Sequence, residues 1–495
     1  MNRPIRTLSL GCLILFIALM LNITWVQFVR AGWYNDRADN RRVTVASFAR
    51  QRGAILVGKK NIAESVPKND EYKYQRTYPG GKEYAPLTGF LSYSYGQTGI
   101  EKSQNGVLSG DDNRLFTNRL IDLVTNSEPR GGNVELTINP KVQDAAYNGL
   151  KELGSDVEGA AVAIEPSTGK VLAMATSPSF DPNKIASHDF GAASNAWNTL
   201  NDKNKSPGQP MLNRAIQTRL PPGSTFKLVT ASAAMEDLGM TPDSTVPGDG
   251  PLDLPQTDKD LPNENGETCG GKTTTMEHAL AESCNVSFGS IGLKLSESQL
   301  QTQAEKYGFG QRWLTDLPAG GQASSVFYSG NKPTGPFMAY SAIGQYEVAA
   351  TPLQVAMVSA GIANGGTVMK PYLVDRVTSS SLDVVDQGKP TEIADQPAIS
   401  KNTAQAMTQM MVNVVQQGTG TPAQIPGVTV AGKTGTAQSD DSRAPYAWFT
   451  GFAPAENPTI AVAVMVQKSG TARDDVAGGR LSAPIAKAMM EAAIK

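Results

Sequence analysis

The stretch PPGSTFKLVTASAAMEDLGM, residues 221–240, predicts a helix that presents a reactive serine at its first turn. The two prolines and Gly223 end the preceding segment, and apolar residues follow at helical spacing from about Ser224 to Leu238. Gly239 is placed to cap the C-terminus of the helix. The fold must therefore place this helix start where a substrate can reach it.

Ser224 and Lys227 form an S-x-x-K motif in this stretch. Because residues i and i+3 share one face of a helix, we expect Nζ of Lys227 to reach Oγ of Ser224. The helix N-terminus stabilises developing negative charge and disfavours a protonated lysine. A neutral lysine at this place can activate the serine as a nucleophile.

The chain contains four S-x-x-K sequences, and the other three begin at Ser65, Ser167 and Ser329. Ser167 falls in the turn of a predicted hairpin, and Ser65 and Ser329 fall in predicted loops. Serines in such turns are ordinarily solvated. The context at a helix start therefore selects Ser224 as the candidate nucleophile.

Two further motifs follow this one, in the order S-x-x-K, S-x-N, K-T-G that serine acylating enzymes with a lysine base use. The S-x-N follows the helical run TMEHALAE, and the K-T-G lies in GVTVAGKTGTAQ. Each motif is common alone, whereas the ordered set is specific. The candidate residues are Ser224, Lys227, Ser283 and Asn285 for catalysis, and Lys433, Thr434, Gly435 and Thr436 for substrate binding.

Residues 427–434, GVTVAGKT, also satisfy the phosphate-loop pattern G-x-x-x-x-G-K-[ST]. A phosphate loop needs a buried strand before its first glycine and a helix after its threonine. Here GTGTPAQIP precedes the pattern and GTAQSDDSRAP follows it. Prolines and turn formers suit neither element, so we expect a strand that carries Lys433 instead.

Composition excludes several classes of function. The 495 residues carry 44 Lys and Arg against 46 Asp and Glu, which offers no basic patch for nucleic acid. Three cysteines are too few and too scattered for a zinc site, and no cofactor is indicated. The two histidines, His188 and His278, lie in a polar loop and a helix-like run, so a Ser-His-Asp triad is a poor candidate. Cys269 and Cys284 are compatible with either a disulfide or two free thiols.

The N-terminus predicts a membrane anchor. Residues 1–7 contain Arg3 and Arg6, and residues 8–30 form an apolar run close to the ~20 residues that a membrane-spanning helix requires. The preceding positive charges predict a cytoplasmic N-terminus and an external remainder. A cleaved signal peptide is the main alternative, but no small-x-small cleavage site follows the run.

Periodicity divides the rest of the chain in two. Residues 31–133 are polar and weakly periodic, which predicts a small N-terminal pedestal or dimerisation-like domain. Residues 134–495 contain a helix, then a hairpin, then helices, then several strands and a last helix, an order typical of an α+β fold with a mainly antiparallel sheet covered by helices. We expect long surface loops at residues 186–212, 243–274 and 376–400.

These motifs, together with RQRGAIL, YGQTGIE, GGNVELTINPKVQ, SAIGQ, TPLQVAM and YAWFTGFAPAE, resemble the class B penicillin-binding proteins. The actinobacterial penicillin-binding protein A group is the most similar. The resemblance extends over nearly the whole chain. It implies a five-stranded antiparallel sheet between helices, in the manner of serine β-lactamases, and a D,D-transpeptidase that cross-links peptidoglycan outside the cytoplasmic membrane and is acylated by β-lactams.

Motif chemistry and resemblance imply the same roles. Ser224 attacks the D-Ala-D-Ala carbonyl, Lys227 takes its proton, and the backbone N–H groups of Ser224 and Thr436 hold the oxyanion. Ser283 relays the proton to the leaving D-Ala. Asn285 holds the substrate amide and restrains Lys227. The remaining candidates, Lys433, Thr434 and Thr436, receive the carboxylate of the stem peptide.

The implied partners are donor and acceptor stem peptides, β-lactams, the membrane, and proteins of cell-wall synthesis or division. Water in place of the acceptor amine would make a D,D-carboxypeptidase, and the motifs do not distinguish the two. A β-lactamase or β-lactam sensor is disfavoured because no E-x-x-L-N sequence is found. A non-catalytic scaffold of the division machinery would not need all three motifs, which this chain retains.

Overall fold

The computed structural model describes most of the chain and all of the predicted site. The described residues are 3–30, 33–34, 45, 48–115, 130–206, 208–266, 268–439 and 443–495. Parts of the predicted pedestal, residues 31–32, 35–44, 46–47 and 116–129, lie outside the described residues.

The apolar N-terminal run is a helix, Arg3–Thr24, that continues as a π-helix over Trp25–Val29. None of its apolar span is buried against the rest of the protein. Its 27 residues reach about 40 Å at 1.5 Å per residue, which exceeds the ~30 Å hydrocarbon core of a bilayer. The helix is therefore long and apolar enough to cross a membrane.

A five-stranded antiparallel sheet, here called the central sheet, organises the C-terminal part. Its spatial order is Ala431–Ala437, Tyr446–Ala453, Ile460–Lys468, Glu158–Ile164 and Val171–Ser177. All four neighbouring pairs are antiparallel. Apart from the ends of its strands, the sheet is almost completely buried, as expected for a sheet between two helical layers.

Helices cover both faces of the central sheet. On one face, Pro140–Glu152 packs against Ala483–Ile494. On the other, Pro352–Ala363 lies against three strands, and Lys401–Gln416 packs on the strand Ala431–Ala437. The predicted α+β architecture is confirmed.

The chain that leads into and out of these layers forms further helices. Their bounds are Gly81–Thr88, Gly99–Ser103, Asn105–Ser109, Pro182–Ala186, Phe190–Asn201, Arg214–Gln217, Lys227–Leu238, Met276–Ala281, Asn285–Lys294, Glu297–Lys306, Pro336–Ala342 and Gly478–Leu481.

A second, six-stranded sheet, here called the pedestal sheet, draws on distant parts of the sequence. Its spatial order is Val384–Gln387, Val374–Thr378, Asn133–Leu136, Ile55–Val57, Lys60–Pro67 and Tyr74–Thr77. The segment from residue 374 to residue 387 thus completes a sheet whose other strands precede residue 137.

A buried ionic cluster stabilises the pedestal. Glu101 is fully buried, and its carboxylate accepts hydrogen bonds from Arg52 Nε at 2.7 Å and Arg76 Nε at 2.6 Å. The two guanidinium groups hold the pKa of Glu101 below its usual value although burial acts to raise it. Because a buried charge needs such partners, the three residues depend on one another.

Three loop predictions are wrong in part. Residues 186–212 contain the helix Phe190–Asn201, which begins at Asp189, whose carboxylate accepts from Ala192 N. Residues 376–400 contain strand residues that pair within the pedestal sheet. Ser65 likewise lies in the strand Lys60–Pro67 and not in a loop, whereas Ser167 lies in the hairpin turn as predicted.

Candidate active site

The predicted nucleophile lies in a tight turn that leads into a buried helix. Gly223–Phe226 forms a 3-10 turn, and the α-helix runs from Lys227 to Leu238, three residues later than the sequence predicted. Gly239 ends it in the left-handed conformation, as expected. Ser224 keeps 8% of its surface exposed, so a substrate can still reach it.

Lys227 is fully buried beside the S-x-N motif. Its Nζ donates to the backbone oxygen of Ser283 at 2.5 Å and to Oδ1 of Asn285 at 2.8 Å. The expected contact with Ser224 Oγ is not among the hydrogen bonds of the described residues. The Lys227 amine instead donates its hydrogen bonds to Asn285 and to the Ser283 carbonyl.

Burial lowers the pKa of Lys227 well below its usual value, and the neighbouring Lys433 lowers it further. Glu264 acts in the opposite direction. Both main effects disfavour the ammonium form, because a charge loses solvation in the interior and is repelled by a second cation. The neutral amine, which can accept a proton, is thus favoured over the ammonium form.

Ser283 lies between the two buried lysines. Its Oγ accepts a hydrogen bond from Lys433 Nζ at 2.8 Å and lies 3.4 Å from Lys227 Nζ. Its backbone has a positive φ of 64°, a conformation that costs a non-glycine residue about 1–3 kcal/mol. This strained position places one hydroxyl within reach of both amines.

Lys433 lies on the edge strand of the central sheet. It is fully buried, and its Nζ also donates to the backbone oxygen of Thr434 at 3.1 Å. Burial lowers its pKa to about 7, while Glu264 and Glu282 act to raise it. Lys433 can therefore carry a positive charge that a bound carboxylate would stabilise further.

The strand Ala431–Ala437 continues past Thr434 in antiparallel pairing with Tyr446–Ala453. A phosphate loop would require a helix there, so the structure contradicts that alternative. Gly435 allows close packing with the nucleophile turn, because a Cβ at this position would lie 2.9 Å from the backbone oxygen of Pro222.

A cavity of about 310 Å³ lies beside Thr434 and Thr436, the two threonines at the K-T-G motif. Thr434 Oγ1 forms a hydrogen bond of 2.6 Å with Thr419 Oγ1, a residue that the motif analysis did not select. Residues from five separate segments line this cavity, among them Glu264, Ser283, Thr419, Thr434 and Gly479. It opens directly onto the S-x-N and K-T-G motifs.

A disulfide joins Cys269 to Cys284, the middle residue of the S-x-N motif. Both cysteines are buried, and their Cα atoms lie 6.2 Å apart. The bridge ties the loop before residue 273 to the segment that carries Ser283. Of the two possibilities that the sequence left open, the structure has the bonded one.

The structure thus brings the three predicted motifs together, since Ser283 contacts both lysines and Gly435 packs on the nucleophile turn. The competing S-x-x-K serines lie elsewhere: Ser329 donates to the carboxylate of Glu347, for example. Sequence reasoning did not find Thr419, Glu264 or Glu282, which reach the cleft through tertiary structure and belong to no motif.

A serine turn packed on the edge strand of a buried antiparallel sheet, next to a second serine that lies between two buried lysines, defines a class of serine acyltransferases in which lysine takes the place of histidine. Residues 159–491 match the family described as penicillin binding protein transpeptidase domain, and residues 52–134 match the penicillin binding protein A dimerisation domain. The chain belongs to the penicillin-binding protein transpeptidase family.

Individual relatives agree with this assignment. Peptidoglycan D,D-transpeptidase PbpA of Mycolicibacterium smegmatis is 40% identical over all of this chain and 99% of its own length. PbpA of Mycobacterium tuberculosis is 38% identical over the same shares. Solved structures of M. tuberculosis penicillin-binding protein A as acyl-enzyme complexes are similar too. The ceftriaxone complex has a TM-score of 0.85 at 37% identity and the penicillin G complex 0.83 at 38%, and they cover 91% and 90% of this chain and all of theirs.

Proposed function

We propose that this chain is a peptidoglycan D,D-transpeptidase that cross-links stem peptides through an acyl-serine intermediate on Ser224. The observation that carries the proposal is the position of Ser283 between Lys227 and Lys433, which links the S-x-N and K-T-G motifs to the base. The mycobacterial relatives named peptidoglycan D,D-transpeptidase support it.

In the acylation step, Ser224 Oγ forms a bond to the penultimate D-Ala carbonyl carbon while its proton passes to Lys227 Nζ. The two hydrogen bonds that Lys227 Nζ donates to Asn285 Oδ1 and to the Ser283 carbonyl leave the lone pair of the neutral amine to take this proton. The backbone N–H groups of Ser224 and Thr436 hold the oxyanion. The C–N bond then breaks, and the leaving D-Ala nitrogen takes a proton through Ser283.

The substrate carboxylate lies against Lys433 with the hydroxyls of Thr434 and Thr436. Its charge compensates the buried ammonium, and Gly435 lets this strand approach the nucleophile turn closely. Asn285 has a second role in this arrangement, since its Nδ2 can donate to the substrate amide while its Oδ1 accepts from Lys227.

The domain organisation follows from the same reading. We assign residues 1–7 to a cytoplasmic tail, 8–30 to a single transmembrane anchor, 31–133 to the pedestal and 134–495 to the transpeptidase domain outside the membrane. Protease added to intact spheroplasts should then digest the bulk of the chain. Protection of that bulk would contradict this topology.

The nucleophile is tested with fluorescent penicillin and the Ser224→Ala variant of the full chain. We expect the wild type to be labelled and the variant to be unlabelled at an unchanged melting temperature. Ser167→Ala is the matched control, because Ser167 heads another S-x-x-K sequence yet lies in the hairpin turn. A penicilloyl adduct that persists in Ser224→Ala and maps to another serine would refute the assignment.

The reaction itself is tested with a D-Ala-D-Ala-terminated donor peptide and an amine acceptor. Mass spectrometry should detect the cross-linked amide with loss of one D-Ala. If the only product is the donor shortened by one D-Ala, the protein is a carboxypeptidase. If neither product nor penicillin adduct forms, the protein is a non-catalytic scaffold.

A further inference from the structure

Two carboxylates share the cavity that borders the S-x-N and K-T-G motifs. Glu264 and Glu282 both line it, together with Ser283 and Thr434. The nucleophilic chemistry described above uses neither of them. They lie beside Ser283, whose hydroxyl passes a proton to the leaving D-Ala, which raises the question of what enters the cavity afterwards.

The segment that carries Glu264 is fixed to the helix of the S-x-N motif. The neighbouring Asn263 is buried, and its Oδ1 accepts from Val286 N at 3.0 Å, one residue beyond Asn285. Its Nδ2 donates to Gly248 O at 2.9 Å. These two bonds hold the backbone before Glu264 at a defined place relative to the base.

Glu282 directly precedes Ser283 and ends the helix Met276–Ala281. It forms no ion pair with any residue that the structure describes. Arg480 also lines the cavity, and its guanidinium is paired with Asp475. The positive charge that Arg480 brings to the cavity lining is thus engaged by a carboxylate other than Glu282.

Both carboxylates act electrostatically on the site. Each raises the pKa of Lys433, and Glu264 also raises that of Lys227. They therefore lie within Coulombic range of the two amines. A second ammonium group that enters this cavity would experience the same attraction.

We propose that Glu264 and Glu282 receive the acceptor of the transpeptidation as an ammonium ion and so select acceptors by charge. The inference rests on the proposed function. The cavity becomes vacant when D-Ala leaves, and the acceptor amine must approach the acyl-serine carbonyl from there. Carboxylates on its wall raise the local concentration of a cationic acceptor and oppose an anionic one.

The chemistry balances without a further reactant. The acceptor ammonium first loses one proton to solvent, and its nitrogen then forms a bond to the acyl carbon. The bond from that carbon to Ser224 Oγ breaks. The second proton of the nitrogen passes through Lys227 to Oγ, which restores the serine and leaves the amide cross-link.

The test measures how the acyl-enzyme partitions between aminolysis and hydrolysis. A D-Ala-D-Ala-terminated peptide acylates the full chain, and D-alaninamide, with net charge +1, or D-glutamate, with net charge −1, is the acceptor. Because both products arise from one acyl-enzyme, their ratio is independent of the acylation rate. We compare Glu264→Gln, Glu282→Gln and the double variant with Glu152→Gln, which neutralises an exposed carboxylate of another helix.

We expect each single variant to lower the ratio for D-alaninamide about threefold and the double variant about tenfold, the scale of solvent-accessible ion pairs. The ratio for D-glutamate should stay constant or rise, and the Glu152 control should match the wild type. An equal loss with both acceptors, or no change, would overturn the inference and leave the proposed function standing. If the wild type is never acylated, both fail.

Discussion

Replacement of Lys433 offers the sharpest test of the charge arrangement. Its amine is buried, donates to Ser283 Oγ at 2.8 Å, and has a pKa lowered to about 7 by burial. In Lys433→Ala the penicillin carboxylate loses this partner. Loss of one preorganised charge contact costs about 2–4 kcal/mol of transition-state stabilisation, which slows acylation about 30-fold to 1000-fold.

The pH dependence separates the roles of the two lysines. The second-order rate of acylation reports the free enzyme, so it should rise as Lys227 becomes neutral and fall as Lys433 loses its charge through about pH 7. Lys433→Ala should abolish the alkaline fall. It should also shift the acid limb to higher pH, because the charge of Lys433 lowers the pKa of Lys227.

Lys433→Arg is the matched control, since its charge persists at all accessible pH values. It should recover part of the rate, lack the alkaline fall and keep the acid limb near its original place. Stopped-flow acylation with fluorescent penicillin from pH 5 to pH 9 measures all three. An alanine variant with wild-type rate and pH profile would refute the reasoning, and loss of ATP binding by a variant that still reacts with penicillin would support a phosphate loop.

Three further substitutions have defined outcomes. Gly435→Ala places a Cβ 2.9 Å from Pro222 O, a backbone atom, so the turn or the strand must shift; acylation should fall at least about tenfold and the melting temperature should fall as well; normal acylation would show that the turn tolerates the shift. Burial and a hydrogen bond with Asp144 raise the pKa of Glu83 to about 7, so its contribution to stability is present at pH 4 and is lost as pH rises through 7. Glu83→Gln should therefore raise the melting temperature at pH 8 and not at pH 5, and an equal change at both would contradict this. Glu101→Gln leaves two buried guanidinium groups without their counter-ion and should cost about 3–5 kcal/mol in the free energy of unfolding, measured by urea denaturation; a loss below 1 kcal/mol would refute it.

The motifs could be predicted because their chemistry is local in sequence. Ser224 and Lys227 are one helical turn apart in the sequence. Gly239 directly follows the apolar helix and marks its end. The order of the three motifs then fixed which serine, lysine and asparagine belong together.

The parts that sequence could not predict depend on tertiary contacts. Nine of the twelve residues of the helix Phe190–Asn201 are small or polar and Ala193 is its one buried residue, so its apolar periodicity is weak. Glu101 is charged, and charged residues are ordinarily assigned to the surface. Thr419 and Glu264 reach the cleft only because separate loops fold onto it.

The pedestal sheet has a consequence for the order in which the protein is made. Its strand Asn133–Leu136 pairs with Ile55–Val57 on one side and with Val374–Thr378 on the other. During synthesis, the four strands that precede residue 137 are therefore made about 240 residues before the last two strands of the sheet. Because such distant pairing carries a large loop-closure entropy, the N-terminal part of the chain emerges first and is completed late, with an unpaired sheet edge in the interval.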